Sequence, residues 1–179
     1  MSVLKKPPHV IEIFLQPGEL WFGDEHTRIR TILGSCVAVT LWHPKRRIGG
    51  MCHYMLPGRT RGKGAGQDGR YGDEALDLLV KEMKAARSHP HEYEAKLFGG
   101  GHMFKHAFGT VKDRGDQVPD RNIDAGRKLV QRHGFMVKAE QLGGSGHRQV
   151  IFDIWSGHVW VRHAPLPETA RCSAEDNRR

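Results

Sequence analysis

The spacing of apolar residues along the chain predicts a series of short strands interrupted by two helices. Strands are expected where apolar and polar side chains alternate, or where a short apolar run lies between glycine, proline or polar turns. The segments that fit this description are residues 10–15, 29–33, 37–42, 48–56, 95–98, 135–139, 149–154 and 158–162. A further segment, Leu20–Gly23, fits either an edge strand or part of a loop.

Two other segments carry apolar residues three or four positions apart, which is typical of a helix that packs on one face. The first runs from Asp73, the expected N-cap, to about Arg87. The second opens at about Asp120 and ends at Gly134, a residue type that favours a helix C-terminus. Strands mixed with two helices predict a single α/β or α+β domain, in which layers pack on one mixed β-sheet.

A candidate catalytic pair lies in residues 31–57, TILGSCVAVTLWHPKRRIGGMCHYMLP. Gly34 permits a sharp bend, Cys36 sits on that bend, and a strand, a turn and a returning strand can bring His53 back beside Cys36. A thiol next to an imidazole is the minimum apparatus for nucleophilic catalysis, because the imidazole takes the thiol proton and an imidazolium partner favours the thiolate. Residue chemistry alone leaves open a second interpretation, in which both are core residues.

Strand alternation separates the two cysteines of this segment. Neighbouring residues of a strand point to opposite faces, so Cys52 faces away from Cys36 if His53 faces towards it. The same parity places Met51 and Met55 on the His53 side and Tyr54 on the other. We therefore expect Cys52 to be a core residue without a chemical role.

Composition and charge exclude several classes of protein. The three cysteines, Cys36, Cys52 and Cys172, show no CxxC spacing, so neither a disulfide framework nor a zinc knuckle is expected. The net charge of +8 would suit a protein that binds a polyanion. The basic residues are spread along the chain, however, which favours a solvated surface over a nucleic-acid site. The chain shows neither the roughly 20-residue apolar run of a membrane helix nor a signal peptide, so we expect a cytoplasmic protein without membrane insertion.

Three segments, TILGSCVAVTLW, GGMCHYMLP and AKLFGGGHMF, resemble the CheD family of chemoreceptor glutamine deamidases in their order and spacing. The segments VPDRNIDAGRKLV and LGGSGHRQVIFD are similar to the family as well, so the resemblance covers about residues 9–162. The chain departs from the family pattern at Cys52 and His102, where asparagine is usual, and at VPDRN, where an IGERN-like segment is usual. The resemblance implies a CheD-like layered α/β fold over residues 9–164. Polar composition predicts a flexible arm at residues 1–8 and a disordered tail at residues 165–179.

The resemblance also implies the chemistry. Cys36 would be the nucleophile, His53 its base, and Thr31 the residue that orients His53. The implied reaction is hydrolysis of glutamine side-chain amides on the cytoplasmic helices of methyl-accepting chemoreceptors, with the phosphatase CheC as a further partner in some systems. This chemistry requires no metal and no organic cofactor.

Further residues are candidates for substrate contact. The backbone N–H groups of Gly34, Ser35 and Cys36 are the natural donors to an oxyanion. The triplet Gly99-Gly100-Gly101 ends a strand where another backbone or a substrate must pass closely, and the resemblance places it near the active centre. Residues 57–72 form a basic, glycine-rich loop whose Arg59, Arg61, Lys63 and Arg70 would dock an acidic helix, although a plain connector fits the pattern equally well.

Two other classes of function stay open from the sequence. A basic nucleic-acid-binding module would show salt-dependent binding to generic DNA. A non-catalytic interaction protein would bury Cys36 as an inert side chain.

Overall fold

The computed structural model describes residues 5–59, 66–103 and 117–166 of the chain. Within these ranges the strands are β1 (Ile11–Phe14), β2 (Leu20–Gly23), β3 (Thr27–Leu33), β4 (Val37–His43), β5 (Ile48–Tyr54), β6 (Glu94–Gly99), β7 (Met136–Leu142), β8 (His147–Asp153) and β9 (His158–Ala164). The α-helices are α1 (Gly72–Ala85) and α2 (Val118–Arg132), and a 3₁₀ turn covers Pro90–Glu92. Part of the predicted arm and nearly all of the predicted tail lie outside the described residues.

The strands form two β-sheets, so the expectation of one mixed sheet is wrong, while the predicted α+β class is confirmed. One sheet has four strands in the order β1-β3-β8-β9, and the other has five in the order β2-β5-β4-β6-β7. The sequence could not reveal the division of the strands into two sheets. A strand buried on both faces is a continuous apolar run, whether a helix or a second sheet covers it. The open choice at Leu20–Gly23 is decided as well, since β2 is an edge strand paired with β5.

Two separate cores lie on the two faces of the five-stranded sheet. The helix-side core lies between this sheet and the two helices, and it includes Val39, Leu41, Cys52, Tyr54, Leu76, Leu79, Leu97 and Val130. The inter-sheet core lies between the two sheets, and it includes Leu15, Ile29, Leu33, Ala38, Met51, Phe98, Val150 and Phe152. Strand β4 contributes to both cores, which explains why nearly all of its residues are buried.

The predicted alternation along β5 is confirmed. Met51 packs in the inter-sheet core, whereas Cys52 and Tyr54 pack in the helix-side core. His53 is buried between these residues and faces the inter-sheet side, where it contacts Thr31 of β3. Cys52 and His53 therefore point to opposite faces of the sheet.

The helices differ in their first turns from the sequence-based expectation. Asp73 is not the N-cap of α1; the N-cap is Tyr71, two residues earlier, and the helix begins at Gly72. The end of the β5 segment replaces a side-chain cap, because the N–H of Gly72 donates to the Leu56 carbonyl at 2.8 Å and that of Asp73 to the Pro57 carbonyl at 3.3 Å. Among the described residues, neither helix has the length and hydropathy that a membrane-spanning segment needs.

Candidate active site

The candidate nucleophile lies where the chain passes from one sheet to the other. Strand β3 ends at Leu33 in the four-stranded sheet, and β4 begins at Val37 in the five-stranded sheet. The turn between them carries Cys36, which is half-buried and packs against the inter-sheet core. A crossing between two packed layers explains why this thiol keeps access to solvent while its neighbours in β4 are buried.

The glycine triplet that follows β6 holds the backbone of this turn. The N–H of Gly100 donates to the Cys36 carbonyl, and the N–H of Gly101 donates to the Gly34 carbonyl, both at 2.8 Å. Gly99 has a φ of +112°, and a Cβ added there would collide with the Cys36 carbonyl oxygen. The prediction that another backbone passes closely over this triplet is confirmed, and that backbone belongs to the candidate nucleophile.

The register of β4 and β5 places His53 on the same side of the sheet as Cys36. Ala38 lies directly opposite His53, and Cys36 lies two residues before Ala38. Diagonal neighbours within an antiparallel pair have Cα atoms about 7–8 Å apart, and Cys36 lies one residue before this paired ladder begins. Cys36 packs against the inter-sheet core and His53 faces the same side, while the expectation that the hairpin brings the two side chains into contact stays a prediction.

A hydrogen-bond chain fixes the tautomer of His53. The Thr31 hydroxyl donates to the Leu15 carbonyl at 2.9 Å and lies 2.8 Å from His53 Nδ1. Since a carbonyl only accepts, the single hydroxyl proton goes to Leu15, and Thr31 Oγ1 must accept a proton from Nδ1–H. His53 then carries its proton on Nδ1, and Nε2 is the nitrogen that can take one.

His53 Nε2 is buried and has no hydrogen-bond partner among the residues that the structure describes. Burial lowers the pKa of His53 from 6.5 to about 4, against smaller raising effects of Glu19 and the Leu15 carbonyl. Burial also raises the pKa of the Cys36 thiol, against smaller lowering effects of hydrogen bonds from its own backbone and the Ser35 side chain. The resting site therefore favours a neutral thiol and a neutral imidazole over an ion pair.

The lowered pKa of His53 predicts a pH-dependent loss of stability. The unfolded chain binds the histidine proton more tightly than the folded chain does, so the contribution of neutral His53 is complete above about pH 6.5 and is lost as the pH falls towards 4. The full loss is about 3 kcal/mol in the free energy of unfolding. Urea unfolding of the wild type and of His53→Gln across this range measures it. Equal pH slopes for the two proteins would show that the pKa of His53 is not lowered.

The other candidates for substrate contact differ in what they already bind. Within the described ranges, the backbone N–H groups of Ser35 and Cys36 donate to no main-chain carbonyl oxygen, and the N–H of Cys36 hydrogen-bonds its own thiol. Arg59 is already paired, since its Nε and Nη2 lie 2.6 and 3.2 Å from the carboxylate of Glu74, a residue that is 1% exposed. Replacing Arg59 would therefore leave the buried carboxylate of Glu74 without its charged partner, whatever the effect on docking.

The other basic side chains of residues 57–72 support the predicted docking role less than the sequence suggested. Arg70 is paired with Asp68 at 2.6 Å. Arg61 and Lys63 lie outside the described residues, so their proposed role in docking stays a prediction. Among the described residues, no cluster of three or more histidine, cysteine or carboxylate side chains is arranged to hold a metal ion.

One residue near the site was missed by the sequence analysis. Asn122, the fifth residue of α2, is fully buried, and its amide nitrogen donates to the carbonyls of Ser35 and Met55. The available signal was its position, since it lies in register with Pro119, Ile123 and Gly126 on the buried face of the helix. A polar residue on an otherwise apolar helix face must find partners, and these partners belong to the candidate site.

The sequence of this chain is similar to proteins of one family. A family model described as CheD chemotactic sensory transduction matches residues 55–163, which is more than half of the chain. A Pseudomonas savastanoi pv. phaseolicola protein, named a probable chemoreceptor glutamine deamidase CheD, is 47% identical over 177 residues, covering 98% of each chain. The chain belongs to the CheD family.

Two further comparisons differ in their degree of similarity to this chain. A Dechloromonas aromatica protein, named probable chemoreceptor glutamine deamidase CheD 3, is 49% identical over 155 residues, covering 87% of this chain and 89% of its own. A solved structure, the hypothetical protein YfiH of Bacillus licheniformis, has a TM-score of 0.43 and 14% identity, covering 69% of this chain and 51% of its own. The family model begins after His53, but the alignment with the Pseudomonas savastanoi protein covers enough of the chain to include residues 31–53.

Proposed function

We propose that this protein is a chemoreceptor glutamine deamidase, which hydrolyses glutamine side-chain amides of methyl-accepting chemoreceptors to glutamate and releases ammonia. The observation that carries the proposal is the Thr31–His53 hydrogen bond, because it leaves Nε2 as the proton-accepting nitrogen on the face that Cys36 shares. The names of the relatives, which are probable chemoreceptor glutamine deamidases, support the choice of substrate.

The proposed reaction begins when glutamine enters the site and its amide carbon meets the sulfur of Cys36. His53 Nε2 takes the thiol proton as the carbon–sulfur bond forms, and the carbonyl oxygen becomes an oxyanion. The backbone N–H groups of Ser35 and Cys36 would stabilise that oxyanion. His53 then gives its proton to the departing nitrogen, so that ammonia leaves and a thioester remains.

The second half of the reaction restores the enzyme. His53 Nε2 takes a proton from water while the water oxygen attacks the thioester carbon. The carbon–sulfur bond breaks, the sulfur of Cys36 recovers its proton from His53, and the product is glutamate. Thr31 keeps the Nδ1 proton of His53 in place throughout, so that the same nitrogen acts as base and as acid in both halves.

The environment of the site favours a mechanism that starts from neutral groups. Burial disfavours both the free thiolate and the imidazolium in the resting enzyme, so proton transfer is coupled to attack on the substrate. The proposal needs no metal or organic cofactor. It includes a cytoplasmic location, where the receptor helices would be reached, and an interaction with the phosphatase CheC where a system contains it.

The direct test is incubation of the purified protein with the cytoplasmic fragment of a chemoreceptor. We expect ammonia release in proportion to the number of glutamines converted, and mass spectrometry of peptides should locate each new glutamate. Added hydroxylamine should trap the thioester as a hydroxamate at the same positions. Conversion without hydroxamate would exclude the thioester, and no conversion of receptor fragments would exclude deamidation as the function.

A further inference from the structure

Asn122 joins the two segments that carry the candidate nucleophile and base. Its Nδ2 donates to the Ser35 carbonyl at 3.0 Å and to the Met55 carbonyl at 2.8 Å. Ser35 immediately precedes Cys36, and Met55 lies two residues after His53. One fully buried side chain of α2 therefore holds the nucleophile turn and the base strand at a fixed separation.

This contact lies where the pairing of the two strands stops. The ladder between β4 and β5 ends with Val37 opposite Tyr54, and Cys36 and Met55 lie one step beyond that last pair. Past this point the strands no longer exchange backbone hydrogen bonds. The Asn122 amide donates hydrogen bonds to the Ser35 and Met55 carbonyls there. A side chain therefore links the two segments where backbone hydrogen bonds no longer do.

The orientation of the Asn122 amide is determined by its partners. Both are carbonyl oxygens, which only accept hydrogen bonds, so the nitrogen must face them. The Oδ1 atom is then buried, and it has no hydrogen-bond partner in the described part of the chain. A buried acceptor without a donor costs free energy, so the two bonds to the active-site segments, and not full satisfaction of the amide, account for this arrangement.

The neighbouring contact provides a control within the same interface. The hydroxyl of Tyr54 donates to the main-chain carbonyl of Asn122 at 2.6 Å, and a Cβ added at Gly126 would meet that hydroxyl. This bond anchors α2 on β5, but it leads neither to Ser35 nor to the Met55 carbonyl. Removing this hydrogen bond weakens the attachment of α2 to β5 and leaves the hydrogen bonds of the Asn122 side chain intact.

We propose that Asn122 is a positioning residue, which sets the separation of the Cys36 sulfur and His53 Nε2. The inference rests on the proposed deamidase function. The side-chain amide of Asn122 donates to two backbone carbonyls, so it acts through the backbone of the two segments. Geometry of this kind is decisive in proton transfer and nucleophilic attack, where a misplacement of about 1 Å costs roughly 100-fold in rate.

The test compares Asn122→Asp with Tyr54→Phe. The aspartate keeps the shape of the side chain but turns acceptor oxygens towards the two carbonyls, so the link is replaced by repulsion. We expect Asn122→Asp to lower kcat for receptor deamidation about 100-fold with little change in KM, while Tyr54→Phe keeps kcat within about threefold. Circular dichroism and thermal unfolding establish that both variants are folded under the assay conditions.

A second measurement needs no receptor and separates the two proposals. At high pH, hydroxide forms the Cys36 thiolate, and alkylation by iodoacetamide reports only access to the sulfur. At neutral pH the proton must pass to His53, so the ratio of the neutral to the high-pH rate reports how the pair is positioned. Asn122→Asp should lower this ratio about tenfold and Tyr54→Phe should leave it unchanged. A wild type that does not deamidate, with a ratio that still depends on Asn122, would refute the proposed function alone.

Other outcomes refute the positioning role. If the folded Asn122→Asp variant keeps both its kcat and its alkylation ratio, Asn122 only anchors the helix. Equal losses in Asn122→Asp and Tyr54→Phe would lead to the same conclusion. If Asn122→Asp does not fold, Asn122→Ser is measured in the same two ways, because it retains one donor on a shorter side chain. It is expected to fall between the wild type and the loss predicted for the aspartate, and a Ser variant equal to the wild type in both measurements would overturn the proposal.

Discussion

Cys36→Ala should abolish glutamine deamidation, whereas Cys52→Ala should retain most of it. Loss of the attacking sulfur leaves no route to the thioester, and we expect a decrease of about four orders of magnitude or more in kcat. The measurement is ammonia release from a receptor fragment by each variant, at concentrations corrected for the folded fraction. The two substitutions remove the same atom from positions 16 residues apart, so each is a matched control for the other.

The structure explains why Cys52 should be dispensable for the chemistry. It lies in the helix-side core, on the opposite face of β5 from His53, and burial raises the pKa of its thiol to about 12. Its replacement leaves a small cavity and should lower the free energy of unfolding by about 1 kcal/mol. If Cys52→Ala were inactive and Cys36→Ala active, the assignment of the nucleophile would be wrong.

His53→Ala should lose activity about as severely as the cysteine variant, because the base and the nucleophile act as one unit. In such a unit the combined substitution of Cys36 and His53 costs little more than either alone. Thr31→Val keeps the shape of the side chain but removes the oxygen that accepts the Nδ1 proton of His53. We expect it to lose about 10- to 100-fold in kcat, since it misorients the base without removing it.

Steady-state kinetics of the single and double variants on one receptor fragment test this scheme. Cys52→Ala in combination with His53→Ala is the control for unrelated losses, because its two effects should simply multiply. A Cys36 and His53 double variant far below both single variants would show that the two residues do not act together. A fully active Thr31→Val would remove Thr31 from the site.

Local sequence pattern was sufficient for the elements and for the pairing of residues along one hairpin. Alternation with a period of two predicted the strands around Cys36 and His53, and it placed Cys52 on the far face, because the direction of a side chain in a strand depends only on its neighbours. The GSC turn and the later glycine triplet were likewise readable as sites of tight backbone contact. The predicted start of α1 was wrong, because its first N–H groups donate to the carbonyls of Leu56 and Pro57. Helix propensities do not include such contacts with another segment.

Contacts between layers were decided only by the tertiary structure. Thr31 lies in the four-stranded sheet and His53 in the five-stranded sheet, so their hydrogen bond depends on how the two sheets pack and not on the spacing of either strand. The same holds for Asn122, whose partners are 87 and 67 residues away in the chain, and for Arg59, whose charge is already matched by Glu74. The sequence indicated the candidate catalytic residues and which way each one points within its strand. The packing of two sheets and a helix layer decided which of them meet, because such contacts depend on long-range burial that local periodicity does not encode.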